Sequence, residues 1–378
     1  MPGPTNLPER VLRAMHRASE DHRAAAFPDL YRPVLADLAA WLGTGASQVA
    51  VFPATGTGAW EVALINTVPR GATLFLPCAG QFADLWADTA ARLGYTVARD
   101  PAVSWGDPPD PARIAARLAE DARGEIAAVL IVHNETSTGV TADLPAVRAA
   151  LDAAGHAALL MADGVSSIGS LPYHHDAWRV DVGLTGSQKG LMLPAGLAIV
   201  ALSTRALELS ATLDGPRGYF DLRPMLAAAA TGYTPFTPSI PMLHGLAEAL
   251  AMLHEEGKEA VWARHHRLAN GVRAAAAAWG LATCCRSTAH ASDTVTTILL
   301  PDGVDGRALI AEAHASLDLA LGAGLGPLAG RAFRIGHLGD LNEGMLLGAL
   351  GLVELALARA GVPITLGSGV AAALETWR

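Results

Sequence analysis

The chain of 378 residues has a formal net charge of −9 at pH 7, and 51% of its residues are hydrophobic and 17% charged. This acidic balance argues against a nucleic-acid or anionic-membrane surface, and the lack of an uninterrupted apolar stretch of about eighteen residues argues against a membrane span. The length exceeds what one hydrophobic core usually serves, so we expect two domains.

The N-terminus and the cysteines predict a cytoplasmic protein. Residues 1–6 have neither a basic start nor an apolar core, unlike a secretory signal. Cys78, Cys284 and Cys285 are too few for a disulfide framework, and their number is odd. The adjacent pair Cys284–Cys285 favours a buried apolar role over metal binding.

Short apolar runs alternate with longer helical patterns over the first two thirds of the chain, which is typical of an α/β protein with a mainly parallel sheet. Most of the runs are continuously apolar, as in strands that are buried on both faces. The predicted strands cover residues 48–52, 73–76, 127–133, 157–163, 182–185 and 197–202.

The pattern changes near residue 250, where we place a domain boundary. Leucines at three- and four-residue spacing between 243 and 253 predict a long amphipathic helix ending at about residue 257. Helices at 258–279 and short strands at 293–300 and 331–335 follow. We expect a large domain over 21–250, a small domain over 251–378, and an N-terminal segment 1–20 that packs with the small domain.

Two features at predicted strand ends indicate an anion and a cation site, since open parallel sheets bind ligands there. Residues 55–58 read Thr-Gly-Thr-Gly before a helix, and free N–H groups at a helix start can hold a phosphate; many such turns bind nothing. Asp163 closes a buried apolar run, which is costly without a charged partner such as a pyridinium nitrogen. Alternatively, Asp163 is the N-cap of a following helix.

Two basic residues complete the candidate site. Lys189 lies in a small, nearly uncharged segment after a strand, where desolvation would lower its pKa and free its amine for a Schiff base; the alternative is a surface lysine. Arg334 is predicted on a strand, on the face opposite Phe333 and Ile335, and suits a carboxylate clamp. Its alternative is a structural salt bridge, which is all that we expect of Arg331.

The paired histidines receive structural interpretations. Residues 174–176 (His-His-Asp) suggest metal ligands, but adjacent histidines point apart, so we predict no metal site. His265 and His266 stand beside Arg264 and Arg267 on a helix, and we interpret this stretch as a solvated face.

Three ordered motifs resemble the class V aminotransferases: residues 133–140 (His-Asn-Glu-Thr-Ser-Thr-Gly-Val), 163–169 (Asp-Gly-Val-Ser-Ser-Ile-Gly) and 186–189 (Gly-Ser-Gln-Lys). Residues 2–6 (Pro-Gly-Pro-Thr-Asn) and 333–336 (Phe-Arg-Ile-Gly) match as well. The likeness covers nearly the whole chain and is greatest to the serine–glyoxylate and alanine–glyoxylate aminotransferases.

The resemblance implies a fold type I pyridoxal phosphate (PLP) transferase, in which a mainly parallel sheet of the seven-stranded type is flanked by helices and joined to a smaller α+β C-terminal domain. Such enzymes are usually homodimers with active sites at the interface. Lys189 would form the Schiff base with PLP and move the substrate proton, and Asp163 would pair with the ring nitrogen. Arg334 and Gly3 would bind the substrate. The other implied cofactor contacts are Thr57, Gly58 and Gln188 at the phosphate, Ala59 beside them, Val165 and Phe82 at the ring, Thr136 at the ring hydroxyl, and Thr237 at the phosphate of the other subunit.

One position departs from the family pattern. Relatives commonly carry a ring-stacking aromatic residue where this chain has Ala79. Either Phe82 or Trp60 substitutes for it, or one face of the ring is less covered, at a cost in cofactor affinity of about 1 kcal/mol.

The reaction implied is transfer of the amino group of a small L-amino acid, with serine or alanine favoured, to glyoxylate or a similar 2-oxo acid. A site with one carboxylate clamp and no evident second arginine suits small substrates. Aspartate or hydroxyaspartate is the alternative donor. A PLP lyase or desulfurase is disfavoured, because none of the cysteines lies where a desulfurase needs its nucleophile. A non-catalytic PLP-fold protein is disfavoured because Lys189 and Asp163 are both present.

Overall fold

The computed structural model describes residues 1–45, 48–77, 79–100 and 102–378. Cys78 lies outside the described residues. The strands are β1 (Val49–Pro53), β2 (Thr73–Leu76), β3 (Thr96–Arg99), β4 (Ile126–Val132), β5 (Asn134–Glu135), β6 (Val140–Thr141), β7 (Leu159–Asp163), β8 (Val182–Gly186), β9 (Leu197–Leu202), β10 (Val295–Leu299), β11 (Gly322–Ala323) and β12 (Ala332–Gly336).

The α-helices surround two sheets. They are α1 (Glu9–Met15), α2 (Phe27–Leu42), α3 (Gly56–Thr67), α4 (Gln81–Arg92), α5 (Pro111–Ala119), α6 (Leu144–Ala153), α7 (Thr204–Thr212), α8 (Leu222–Ala230), α9 (Ile240–Glu256), α10 (Lys258–Ala278), α11 (Gly306–Leu317), α12 (Glu343–Arg359) and α13 (Ser368–Trp377). Within the described ranges, none of them has the length and apolar character needed to cross a membrane.

The main sheet has seven strands in the order β1-β9-β8-β7-β4-β2-β3. Strands β3, β2, β4, β7 and β8 run parallel, and β9 is antiparallel to both β8 and β1. The predicted α/β fold with a mainly parallel sheet is therefore confirmed. Because β4, β7 and β8 end at the same edge of the sheet, the residues that follow them meet there.

Apolar side chains are buried on both faces of this sheet. On β2, Phe75 belongs to one hydrophobic cluster, whereas Leu74 and Leu76 belong to the cluster on the opposite face. This double burial accounts for the continuously apolar runs from which the strands are predicted. Strand β3 is not predicted, because it is a half-exposed edge strand of four residues.

A smaller antiparallel sheet, β10-β12-β11, lies in the C-terminal part of the chain. Phe333 and Ile335 of β12 join a third hydrophobic cluster with residues of α10, α12 and α13. The N-terminal residues contact two regions. Pro2 lies where any side chain at Gly322 of β11 would collide with it, whereas Arg10 of α1 pairs with Glu248 and Glu255 of α9. The boundaries at residues 20 and 250 stay predictions.

Two predictions about basic residues are wrong. His265 is 1% exposed and does not belong to a solvated face: its Nδ1 atom contacts the Val261 carbonyl oxygen at 2.7 Å, and its Nε2 atom accepts a hydrogen bond from the Gly339 N–H at 3.1 Å. A lone polar side chain on a helix thus packs against a loop that is distant in sequence. Arg331 is exposed and forms no salt bridge within the described part of the chain.

Candidate active site

Asp163 is the last residue of β7 and is 4% exposed. Its Oδ2 atom accepts a hydrogen bond from Trp60 Nε1 at 2.8 Å, and its Oδ1 atom accepts one from the Val165 backbone N–H at 2.8 Å. Burial raises the pKa of Asp163 to about 6 against the opposing effect of these two bonds, and the Glu135 charge adds to the rise. The residues that follow Asp163 form turns, so it is not the N-cap of an α-helix.

Lys189 lies in a tight loop between β8 and β9. The hydroxyl of Ser187 donates a hydrogen bond to the Pro194 carbonyl at 2.6 Å and closes this loop. Gly190 approaches the backbone so closely that a Cβ atom there would stand 2.7 Å from the Gly169 carbonyl carbon. The loop is therefore rigid, and it holds Lys189 in one place.

The Lys189 amine is desolvated, as predicted. The pKa of Lys189 is lowered to about 8. Burial is the main cause, the positive charge of Arg334 acts in the same direction, and the negative charge of Asp163 opposes the shift. Its Nζ atom donates a hydrogen bond to the Pro2 carbonyl at 2.7 Å. The amine is therefore within electrostatic range of both other charged residues predicted for the site.

The N-terminal residues cover Lys189. Gly3 has a φ of +127°, and a Cβ atom there would stand 2.5 Å from Lys189 Nζ. The Thr5 N–H donates a hydrogen bond to the Gln188 carbonyl at 3.1 Å, and the Thr5 hydroxyl donates one to the Lys189 carbonyl at 3.2 Å. Only the motif likeness points to residues 2–6, because no local pattern brings an N-terminus to a distant lysine.

The glycine-rich turn forms the start of α3. Thr55 is the N-cap residue, but its side chain makes no capping hydrogen bond. Gly56 packs against Val165, since a Cβ atom there would stand 2.6 Å from Val165 Cγ2. Thr57 and Gly58 follow in the first turn with the fully buried Ala59. The first N–H groups of α3 thus lack a side-chain partner, as a phosphate site requires.

Gln188 stands beside this helix start. A Cβ atom on Gly186 would lie 2.8 Å from Gln188 Oε1 and 3.1 Å from the Gly56 backbone N. The Gln188 Oε1 atom is buried and has no hydrogen-bond partner among the described residues. The uncapped N-terminus of α3 offers N–H donors, and the NH2 group of the adjacent Gln188 amide is a further donor, so these groups fit the phosphate that the resemblance implies.

Arg334 approaches the same edge from the smaller sheet. Its Nε atom donates to the Ala323 carbonyl at 2.7 Å, and its Nη1 atom donates to the Thr136 carbonyl at 3.0 Å. No described residue forms a salt bridge with its guanidinium, which disfavours the structural salt-bridge alternative. Burial lowers the pKa of Arg334, and the Glu135 charge opposes this. The two backbone acceptors fix the plane of a guanidinium that can still bind a carboxylate.

The two residues predicted to replace the missing ring-stacking aromatic occupy different environments. Trp60 donates its indole N–H to Asp163 and stacks on Trp86, with ring centroids 6.0 Å apart and an interplanar angle of 13°. Phe82 is half-buried in the first turn of α4, and Ala79 just before that helix is buried. Because Trp60 is engaged with Asp163 and Trp86, two alternatives stay open: a stack by Phe82, or a ring with one face less covered. No local pattern in the sequence predicts the hydrogen bond between Trp60 and Asp163.

Thr237 lies on an exposed segment before α9. The adjacent Phe236 stacks on Tyr219 with ring centroids 5.0 Å apart, and these two rings are 37% and 42% exposed. An exposed aromatic pair beside Thr237 is consistent with the prediction that Thr237 acts in another subunit.

The histidines of the His-His-Asp motif at residues 174–176 pack against aromatic side chains. His175 is fully buried and contacts the Tyr173 hydroxyl at 3.1 Å, and His174 packs edge-on against Trp178 and Trp262. In the part of the chain that the structure describes, no three His, Cys, Asp or Glu side chains are grouped so that they could hold a metal ion.

The buried groups at this edge suit proton transfer near neutral pH. Burial moves the pKa of Asp163 up to about 6 and that of Lys189 down to about 8, and Arg334 supplies a fixed positive charge beside them. A carboxylate, an amine and a guanidinium with such perturbed pKa values are typical of a catalytic site. The structure thus brings together Lys189, Asp163, Arg334, Gly3, Val165, Gln188 and the first turn of α3.

Comparisons with known proteins agree with this geometry. The Aminotransferase class-V family model matches residues 1–325. The serine–glyoxylate aminotransferase of Methylorubrum extorquens is 51% identical, over 99% of this chain and 94% of that protein, and the L-aspartate–glyoxylate aminotransferase of Paracoccus denitrificans is 45% identical, over 100% and 95%. The crystal structure of ureidoglycine-glyoxylate aminotransferase from Bacillus subtilis superposes with a TM-score of 0.91 at 27% identity, over 100% of this chain and 97% of that one. The chain belongs to the class V aminotransferase family, whose cofactor is pyridoxal phosphate.

Proposed function

We propose that the protein is a PLP-dependent aminotransferase that moves the amino group of a small L-amino acid, serine or alanine, to glyoxylate or a similar 2-oxo acid. The observation that carries this proposal is the convergence of Lys189, Asp163 and Arg334 at one sheet edge, with the pKa values of Asp163 and Lys189 shifted towards neutrality. The names of the Methylorubrum and Paracoccus relatives support glyoxylate as the acceptor.

When bound, PLP supplies an electron-withdrawing ring that stabilises negative charge at the substrate Cα. The residues of this chain that would hold it fall into three groups. The start of α3 with Thr57, Gly58, Ala59 and Gln188 would hold the phosphate. Val165, Phe82 and Thr136 would contact the ring and its hydroxyl. Asp163 would keep the ring nitrogen protonated. Its buried carboxylate accepts two hydrogen bonds but has no cationic partner in the chain segments described, and a protonated ring nitrogen would supply one.

Lys189 has two tasks in this proposal. Its amine holds the cofactor, and once released it takes the proton from the substrate Cα and returns one later. A pKa of about 8 suits both tasks, because it raises the neutral fraction of the amine at physiological pH far above that of an ordinary lysine. The hydrogen bond from Nζ to the Pro2 carbonyl would have to break before the amine binds the cofactor.

Arg334 determines which substrates fit. Its guanidinium, held by two backbone carbonyls, would bind the carboxylate that amino acids and 2-oxo acids share, and Gly3 would leave room beside it. Burial is the main cause of the lowered pKa of Lys189, and the positive charge of Arg334 acts in the same direction. A single clamp of this kind favours substrates with one carboxylate. Aspartate or hydroxyaspartate remains the alternative donor, supported by the name of the Paracoccus relative.

The proposal includes a cytoplasmic homodimer with shared active sites. It is supported by the exposed position of Thr237 and by the exposed aromatic pair Tyr219–Phe236 beside it. In the dimer, Thr237 would reach the phosphate in the other subunit. Phe220, which adjoins Tyr219, lies within 3.5 Å of where a Cβ atom on Gly58 would stand, so these aromatic residues lead directly to the start of α3.

A spectroscopic titration of the purified protein with PLP tests the proposal. We expect a visible absorption band that L-serine or L-alanine bleaches and that glyoxylate restores, with L-aspartate as the competing donor. A protein that stays colourless after incubation with PLP would contradict the proposal. A band that aspartate alone bleaches would replace the favoured donors with the alternative.

A further inference from the structure

Glu135 is a buried carboxylate that the proposed reaction does not use. It lies at the end of β5 and is 2% exposed. Its Oε2 atom accepts hydrogen bonds from the backbone N–H groups of Phe82 at 3.0 Å and Ala83 at 3.2 Å. Its Oε1 atom accepts from the Ser137 backbone N–H at 3.0 Å and from the Ser137 hydroxyl at 2.6 Å. Four donors therefore converge on one carboxylate.

These bonds cap α4 from a distant part of the chain. The N-cap residue of α4 is Gly80, which has no side chain to offer a cap. The Gln81 N–H instead donates to the Ser137 hydroxyl at 3.0 Å, and that hydroxyl donates its own hydrogen bond to Glu135. A negative charge at a helix start is also favoured by the helix dipole. The first turn of α4 is thus fixed by the turn that follows β5.

The contact leaves no spare room. A Cβ atom on Gly80 would stand 2.4 Å from Glu135 Cγ and 2.6 Å from Ser137 Oγ. The φ of Gly80 is 173°, which any residue can adopt, so the need for glycine here is steric. The stretch fixed in this way runs from Ala79 to Phe82, where the resemblance places the residue that stacks on the cofactor ring.

The same turn also holds the smaller sheet. The Thr136 carbonyl accepts a hydrogen bond from Arg334 Nη1 at 3.0 Å, and the Ser137 carbonyl accepts one from the Thr297 hydroxyl at 3.2 Å. Thr297 and Arg334 are paired across β10 and β12. Residues 135–137 therefore connect the start of α4 to the strand that carries the substrate clamp.

We propose that Glu135 is a positioning residue, whose carboxylate holds the cofactor-facing start of α4 and the Arg334 strand in one relative position. This inference rests on the proposed function, because it holds that the relative position of α4 and β12 determines how well the cofactor and the substrate bind.

The chemistry of the four donors requires a carboxylate here. Both oxygens of Glu135 face N–H or O–H donors, and an ionised carboxylate offers acceptors only. An amide would turn its NH2 group either towards the N–H groups of Phe82 and Ala83, or towards the Ser137 N–H and a Ser137 hydroxyl that can reverse to accept. Glu135→Gln therefore preserves the shape of the side chain and leaves at least one backbone N–H group facing another donor.

The chain contains a matched control in Glu354. This carboxylate is 3% exposed and accepts hydrogen bonds from Trp279 Nε1 at 2.9 Å and from backbone N–H groups at the start of α13. It thus caps a helix from a distance, as Glu135 does, but in the hydrophobic cluster between α10, α12 and α13. Glu354→Gln should cost stability without touching the site.

The experiment compares the two variants with the wild-type protein by thermal unfolding, by titration of the apo-proteins with PLP, and by steady-state kinetics. We expect both variants to unfold at lower temperature. Only Glu135→Gln should weaken PLP binding and raise KM for both the amino acid and the 2-oxo acid, each by about tenfold, with a smaller change in kcat. If the PLP affinity and KM of Glu135→Gln match those of Glu354→Gln, the role of Glu135 is only structural and the proposal is overturned.

A second variant keeps the test decisive if Glu135→Gln does not fold. Gly80→Ala leaves the carboxylate charge intact and pushes α4 away from it, so PLP affinity and KM should change in the same direction. Unchanged values in Gly80→Ala would contradict the positioning role alone. A wild-type protein that binds no PLP would overturn the proposed function and this inference together.

Discussion

Asp163 and Glu354 are both carboxylates with almost no exposure to solvent, yet their pKa values shift in opposite directions. Burial acts to raise the pKa of Glu354, but the hydrogen bonds from Trp279 and from the start of α13 outweigh it and lower that pKa. At Asp163 burial prevails over two hydrogen bonds, and the pKa rises to about 6. Glu354 accepts hydrogen bonds from Trp279 and from three backbone N–H groups, whereas Asp163 accepts only two hydrogen bonds.

Basic groups in the two regions differ in their hydrogen bonding, although burial lowers the pKa of each of them. His265 and His337 of the C-terminal region are fully hydrogen-bonded within the chain through both ring nitrogens. Lys189 is half-buried with one hydrogen bond, to the Pro2 carbonyl oxygen, and desolvation lowers its pKa to about 8. Incompletely satisfied buried charges destabilise the ligand-free protein, and such groups cluster at functional sites. The comparison therefore separates residues kept for stability from residues kept for chemistry.

The largest effect is expected at Lys189. Lys189→Ala should lower kcat by roughly a thousandfold or more, because it removes both the proton acceptor and the anchor of the cofactor. The free energy of unfolding of the apo-protein should stay the same or rise, since a desolvated amine is removed. Lys258→Ala is the control: that lysine donates to the Ala40 carbonyl far from the site, so turnover should be unaffected. A large loss of apo-protein stability in Lys189→Ala would break the comparison.

Arg334→Lys should raise KM for both substrates by about tenfold to a hundredfold. An ammonium group cannot bind the Ala323 and Thr136 carbonyls and a substrate carboxylate in the fixed plane of a guanidinium. Steady-state kinetics with each substrate varied would measure the change. Arg331→Lys, on the exposed neighbour, should leave KM at its wild-type value. Equal KM values in the two variants would remove Arg334 from the substrate site.

Trp60→Phe sharpens the contrast between the two carboxylates. The substitution keeps an aromatic ring against Trp86 but removes one of the two donors to Asp163, so the pKa of Asp163 should rise above its wild-type value. PLP binding to the apo-protein, measured as a function of pH, should weaken below about pH 6 in the wild-type protein and at a higher pH in the variant. Trp86→Phe retains the donor and should leave the midpoint unchanged. A midpoint that moves equally in both variants would assign the effect to packing.

The smallest effect on turnover is expected for the buried histidines. Burial lowers the pKa of His265 to about 4 and that of His337 to about 3, whereas an unfolded histidine titrates near pH 6.5. Their stabilising contribution is complete above about pH 6.5 and is lost as the pH falls towards 4, because the unfolded chain takes up protons that the folded chain cannot. His337→Gln should flatten the dependence of the unfolding free energy on pH in this window and leave kcat at pH 7 unchanged. An equally steep dependence in the variant would show that other groups control acid unfolding.

Local patterns in the sequence predict the main sheet and the chain positions of the site, because a strand buried on both faces must be apolar throughout and a ligand-binding residue follows such a strand. They do not predict contacts between distant segments. Trp60 resembles any buried tryptophan until β7 places Asp163 beside its indole N–H. Glu135 acquires its role only when α4 packs on the turn after β5. His265 was predicted to be exposed because its partner, the Gly339 N–H, is 74 residues away.

The most direct test follows the Cα proton of the substrate. The holoenzyme is incubated with L-serine in D2O without a 2-oxo acid, and the loss of the Cα hydrogen from serine is followed by NMR, alongside Lys189→Ala that has been saturated with PLP. The account predicts exchange in the wild-type protein and none above background in the variant, since the Lys189 amine moves this proton. Exchange at the wild-type rate in Lys189→Ala would contradict it.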